Sequence, residues 1–361
     1  MHNALPLLSP ARGCHLLAVG TYTDPMPHVH GRGQGIHLLE FDTSTASFRE
    51  GQALPGPANP SYLCAAPGRL YGISEHGCAS TLNVYAIEAS GLRPIGCALV
   101  PGADPCHVSV NLAARQLYVS NYSSGELLCY ALDRSGLPRG FPQSVARRGA
   151  GPQVVRQAGP HLHYAAPSAD GSRVYLCDLG TDTVGCHRVL RTGLAPAPAW
   201  EMRSPPGSGP RHLALSADGS LAAVVEELSN TVALLKLDGS APCVLDRAST
   251  LPLGWHGANA ASAIRLHPNG EWLYVSNRGH DSIAAYRLRD RASRLEPIGW
   301  ISVGGRAPRD IAVTPDGSFL LIASQDDHFI RALRIAPATG MPEATGAPHA
   351  LRSPACLCIL P

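Results

Sequence analysis

The stretch EWLYVSNRGHDSIAAYRL, residues 271–288, alternates apolar and polar positions up to Ser276. It breaks over Asn277–Asp281 and then resumes a second alternating run. Period-two patterning of Val, Ile, Leu and Tyr on both sides of a short polar break reads as strand, turn, strand. The same unit recurs along the chain. Its copies are RLYGISEHGCASTLNVYAIE from Arg69, QLYVSNYSSGELLCYALD from Gln116, RVYLCDLGTDTVGCHRVL from Arg173, LAAVVEELSNTVALLKLD from Leu221 and SFLLIASQDDHFIRALRI from Ser318. A seventh begins with HLLAVGTYT at His15 and continues after an insertion with GIHLLEFD. Aligning the polar residue that ends each first run gives Thr21, Glu75, Asn121, Asp178, Glu226, Asn277 and Gln325, about 50 residues apart.

Every copy but the first has a short apolar run upstream: PSYLCAA at 60, PCHVSV at 105, LHYAA at 162, RHLAL at 211, SAIRL at 262 and RDIAV at 309. Four of these lead into PSADG, SADG, HPNG or TPDG, whose Asp-Gly and Asn-Gly pairs supply the positive backbone torsions of tight hairpins. An outer strand such as SVARRG or PIGWISVG completes about four strands per unit. No helical period intervenes, which disfavours a parallel sheet with crossover helices. The expected fold is therefore all-β: a seven-bladed propeller of four-stranded antiparallel blades. The first copy lacks its upstream partner, so the ring is expected to close by pairing N- and C-terminal strands. The expected domain is 14–340, with 1–13 and 341–361 as terminal segments packing on the ring. Arg134–Gly159 and Leu190–Gly209, rich in Gly and Pro, read as longer loops between units.

Composition narrows the function. The chain has 361 residues, 29 Lys+Arg against 27 Asp+Glu, and only 16% charged residues. It shows no basic cluster with interleaved aromatics, so nucleic acid is not an expected partner. No 18-residue apolar run points to a membrane span. The 11 cysteines are mostly scattered through apolar runs, which fits buried thiols in a reducing cytoplasm. The N-terminus shows no secretory pattern. The expected state is a cytoplasmic monomer or weak homodimer.

In a propeller the inner strands line one channel, so equivalent positions in different copies should meet at its mouth. His161 and His163 start the fourth inner strand, Arg211 and His212 the fifth, Arg309 and Asp310 the seventh, with His107 as their counterpart in the third. Glu227 and Arg278 hold one position in adjacent copies, where the third copy has Tyr122. An acid in one blade beside an arginine in the next marks specialisation. Asn277, His280 and Asp182 belong to the same turn region, and His28 and His30 lie in the insertion of the first copy. His161 and His163, two apart on a strand, share a face. No further ligand stands at a diagnostic spacing, so neither metal nor other cofactor is expected. No nucleophile elbow or HExxH pattern is present.

Taken in order, GTYT, DPCHVSVN, PHLHYAAPSADG, DLGTD, GPRHLALSADG, EELSNTV, SNRGHDSIAAY and APRDIAVTPDG resemble the seven-bladed propeller lactonases over residues 14–336. That family includes propeller-type 6-phosphogluconolactonases and a fungal carboxy-cis,cis-muconate cyclase. In the muconate-cyclising relative a His, two Arg and a Glu are proposed to line the pocket. By motif these fall on His163, Arg211, Glu227 and Arg278. The resemblance implies hydrolysis of a sugar lactone, foremost 6-phospho-D-glucono-1,5-lactone, with His161, His212, Asn277, His280, Tyr122 and Asp182 around the substrate. Glu227 or His163 would be the base, and Arg278 and Arg211 would hold phosphate or the oxyanion. The alternatives are muconate-type lactone chemistry and a non-catalytic binding scaffold. Glu226 departs from the family's usual Asn, and Ser324–Asp327 from its usual Asn-Gln pair.

Overall fold

The computed structural model describes residues 13–238, 241–289 and 293–361. Seven antiparallel sheets form a ring. Their innermost strands are Tyr62–Ala66, Pro105–Asn111, Leu162–Pro167, Pro210–Leu215, Ala260–Leu266, Pro308–Val313 and Pro354–Ile359, and each touches the next around a closed circle. The circle closes in the first blade. There Pro354–Ile359 pairs with Cys14–Thr21, followed outward by Ile36–Asp42 and Ser47–Leu54. In the fourth and seventh blades the outer strand is split in two: Gly193–Leu194 with Trp200–Arg203, and Pro342–Ala344 with His349–Ala350.

Both faces of each blade are buried, which explains the nearly unbroken apolar strands. Leu17 and Val19 pack with Phe319 and Leu321 of the seventh blade, while Ala18 between them packs with Leu63 and Leu70 of the second. Such period-two partition gives seven inter-blade clusters among the described residues, one per interface. Each holds blades that would otherwise expose an apolar face to water. The Gly residues of the Asp-Gly and Asn-Gly turns take positive φ, at Gly171, Gly219, Gly270 and Gly317. They return the chain from each inner strand to its neighbour on the face away from the inner-strand starts.

Three expectations are corrected. The domain boundary at 340 is too early, because 354–359 supplies the inner strand of a blade. The stretch 134–159 contains the outer strand Pro138–Ala146, and 190–209 contains the split outer strand of the fourth blade. The repeat alignment slips by one residue in two copies. Pairing across the hairpins equates Ser74, Asn121, Asp178, Glu226, Asn277 and Ser324, so Glu75 and Gln325 belong with Tyr122, Glu227 and Arg278. The more polar residue beside each true strand end had hidden the register.

Candidate active site

Two tiers of side chains converge at the mouth where the inner strands begin. In the first tier, the register between the inner strand and its neighbour shifts around Cys106, His163, Arg211 and Arg309. A bulge leaves one residue unpaired and re-aims its side chain, and these four are the re-aimed residues. The second tier is the residue after the paired end of the second strand: Tyr22, Glu75, Tyr122, Glu227 and Arg278 among them. Its backbone is fixed in a recurring way. The amides of Tyr22, Glu75, Tyr122, Glu227 and Gln325 donate to the carbonyls of Ser353, Asn59, Asp104, Gly209 and Ala307. All five acceptor residues have positive φ and each precedes a proline.

Most of these residues line a cavity of about 860 Å³. On its wall stands Glu227, only 3% exposed, which three guanidinium groups surround. Arg156 Nη2 donates to Oε1 at 2.6 Å, while Arg211 Nε and Arg278 Nη2 lie 3.0 and 2.9 Å from Oε2. Burial by itself would raise the Glu227 pKa. Arg278, Arg211 and Arg156 outweigh it and hold the carboxylate ionised, well below the usual range. Burial lowers Arg211 to about 10, with Arg278 adding repulsion and Glu227 opposing. Arg211 lies behind Glu227, where Nη1 also donates to the Ser262 carbonyl at 3.0 Å. It therefore orients the carboxylate and does not face the cavity.

His163 lines the cavity and is 6% exposed. Burial and then the Arg211 charge keep its imidazole neutral well below the ordinary histidine value, with Glu227 opposing. Tyr122 meets it edge-on at 5.7 Å and stacks on His161 at 4.3 Å. His161 is itself fixed by the Tyr122 carbonyl, 2.9 Å from Nδ1. Across the mouth, Arg309 Nη2 donates to the Tyr22 hydroxyl at 2.6 Å, and that hydroxyl donates to Glu75 Oε2 at 2.9 Å. Below the cavity, the rings of Tyr62, His107, Tyr164 and His212 pack together, and Arg265 pairs with Asp310 at 2.8 Å.

Of the ten residues that the resemblance puts at the site, His163, Glu227, Arg278, His161 and Tyr122 line the cavity. The other five do not. Arg211 is the carboxylate's rear support. His212 lies deeper, 3.2 Å from Arg211 Nη1 and within the ring stack. Asp182 accepts from the amides of Gly207 and Gly209, each at 2.7 Å, and from Gln157. Asn277 is fully buried and donates to the Thr250 carbonyl. His280 bonds Ser282 and meets the edge of Trp255. At Asp182 and Asn277 the polar side chain satisfies backbone groups near the turns, which need partners when buried.

Arg156, which has no role in the sequence reading, comes from the 147–159 loop. Buried Gln157 ties that loop to the Leu179 carbonyl and to Asp182, so its neighbour Arg156 is carried to Glu227. Glu75 and Tyr22 were recoverable only with the hairpin register. Among the described residues, no three His, Cys, Asp or Glu side chains converge as a metal site. No helix there is long and apolar enough to cross a membrane.

Residues 16–359 match the family model described as "Lactonase, 7-bladed beta-propeller". A Bacillus subtilis 6-phosphogluconolactonase is 29% identical over 314 residues, 85% of this chain and 87% of its own length. A putative 6-phosphogluconolactonase from Bacteroides fragilis superposes with a TM-score of 0.90 at 25% identity, covering 98% of this chain and all of its own. The periplasmic gluconolactonase of Pseudomonas aeruginosa gives 0.88 at 28% identity, covering 96% of this chain and 99% of its own. With the closed ring, the mouth cavity and the match over nearly the whole length, the chain belongs to the seven-bladed β-propeller lactonase family.

Proposed function

We propose that the protein hydrolyses an anionic sugar lactone, foremost 6-phospho-D-glucono-1,5-lactone to 6-phosphogluconate. The observation that carries this reading is the charge set of the cavity. Arg156, Arg211, Arg278 and Arg309 outnumber Glu75, Asp104 and Glu227 in and behind its walls. A positive excess in a cavity favours a substrate that brings its own anion, and a guanidinium matches phosphate or carboxylate geometry.

The reaction adds water to the lactone carbonyl, forms an oxyanion, then breaks the ring C–O bond. His163 is the group suited to take the water proton, since it lines the cavity and is neutral. Glu227 has little proton affinity under three guanidiniums. Its part is to fix Arg278 and Arg156 and to favour the imidazolium as it forms. Arg278 and Arg309, on the walls, supply positive charge to the oxyanion and the substrate's anionic group. Every group named comes from one chain, so a monomer or a weakly associating dimer suffices. The reading places the protein in the cytoplasm, supported by eleven free cysteines, three of them exposed.

The test is a lactone panel with and without chelator, corrected for spontaneous opening, with a muconolactone and the unphosphorylated gluconolactone as comparison arms. The phosphorylated lactone should have the highest kcat/KM, unchanged by chelation. A pH profile checks the base. Protonation of His163 would abolish its role, and its depressed pKa moves that loss to lower pH. Thus kcat/KM on the unphosphorylated gluconolactone, which carries no titrating phosphate, should not fall from about pH 7.5 to about pH 5.5, across the ordinary imidazole value of about 6.5. A half-loss near that ordinary value would remove His163 from the role.

A further inference from the structure

The propeller's pseudo-symmetry places a second carboxylate opposite the first. Glu75 and Glu227 hold the same repeat position, in the second and fifth of seven blades. Two blades lie between them one way and three the other, so they stand across the ring, and both line the cavity. Their surroundings differ in kind. Glu227 is met by three guanidiniums. Glu75, 4% exposed, is touched through Oε2 by the Tyr22 hydroxyl, with Arg309 held one bond further away by that same hydroxyl. Its Oε1 is 4.0 Å from His28 Nε2, on the insertion that overhangs the mouth.

We propose that Glu75 is the general acid of lactone opening, donating its proton to the ring oxygen as the acyl C–O bond breaks. The assignment rests on the lactonase reading. The step balances as follows. Water adds to the carbonyl carbon and its proton passes to His163. The tetrahedral oxyanion collapses, the electron pair of the C–O bond goes to the ring oxygen, and the Glu75 proton makes it a hydroxyl. The products are the hydroxy acid, ionised once His163 and Glu75 have re-equilibrated with solvent, and a released proton.

Other groups at that wall are poorer candidates. Tyr22 is wholly buried and its proton is committed to Glu75. His28 is a neutral imidazole at neutral pH and a poor acid, its pKa lowered to about 3 by burial and then by Arg309 and Arg278. Glu75 is faced by Arg309, Ser61, Tyr22, Asp104 and His28. Burial raises its pKa with Asp104 adding, while Arg309, Ser61 and Tyr22 oppose. Two carboxylates in one site displaced in opposite directions is the pattern that separates an acid from an ionised partner.

The test compares wild type with Glu75→Gln, which keeps the shape and can still accept from Tyr22 but carries no transferable proton. Two substrates are used: 6-phospho-D-glucono-1,5-lactone and its analogue with sulfur as the ring atom. A thiolate leaves without protonation. The variant should lose about 10²-fold in kcat/KM on the oxygen lactone, stay within about threefold on the thiolactone, and bind 6-phosphogluconate with wild-type affinity by calorimetry. Equal losses on both substrates, an unchanged rate on the oxygen lactone, or loss of product binding would each overturn the assignment. A wild-type chain that accelerates neither substrate would instead overturn the lactonase reading on which it rests.

Discussion

Glu227→Gln should remove most lactone hydrolysis and destabilise the fold at once. The carboxylate is the common partner of Arg156, Arg211 and Arg278. Neutralising it leaves guanidiniums close together, with Arg211 almost wholly buried. Removing one member of a buried ion pair costs about 3–5 kcal/mol, because the remaining charge is left uncompensated. Activity should fall about 10²–10³-fold, the scale for losing one preorganised electrostatic element. The pH dependence has a definite sign. Glu227 has a folded pKa below its unfolded value, so its contribution is complete above about pH 4.3 and fades as pH falls further through the folded value. The stability gap between wild type and Glu227→Gln should therefore be full at neutral pH and shrink in acid. Thermal denaturation across pH, with kcat/KM at neutral pH, checks both halves.

Deleting residues 354–361 should prevent the chain from reaching a cooperative native state. The strand Pro354–Ile359 is the inner strand of the first blade. Leu357 packs in the cluster between the first and seventh blades, and Cys356 in that between the first and second. Its Leu357 amide also donates to Asp310 Oδ2 at 2.8 Å. Removing it opens two interfaces and exposes the edge of Cys14–Thr21, an invitation to intermolecular pairing. The truncated chain should lack a sharp melting transition and elute as aggregate. A monomer melting within a few degrees of wild type would show that closure by this strand is dispensable.

The ring was legible because its signal is redundant. Seven copies of one alternating unit and a first copy missing its partner imply both the blade count and the closure. The site was legible only in part. Glu227 and Arg278 stood out because opposite charges at one repeat position in adjacent blades have no need in the fold. Asp182 and Asn277 are as polar and as close to the turns, yet they satisfy backbone groups, a distinction made by three-dimensional neighbours. Arg156 has no repeat position at all and owes its place to the anchoring of Gln157. Glu75 was obscured because it is more polar than Ser74, the residue that pairs across the hairpin with Thr81. Counting to the polar residue instead of the strand end moves the register by one.

The most direct measurement of the central claim is proton release from 6-phospho-D-glucono-1,5-lactone, above the spontaneous rate, by wild type and by Arg278→Ala. Arg278 lines the cavity and meets Glu227 at 2.9 Å, so its loss disturbs substrate charge and carboxylate together. Wild type should clearly accelerate release, and the variant should return close to the spontaneous rate. A wild-type rate equal to the spontaneous one, or a folded variant as fast as wild type, would contradict it.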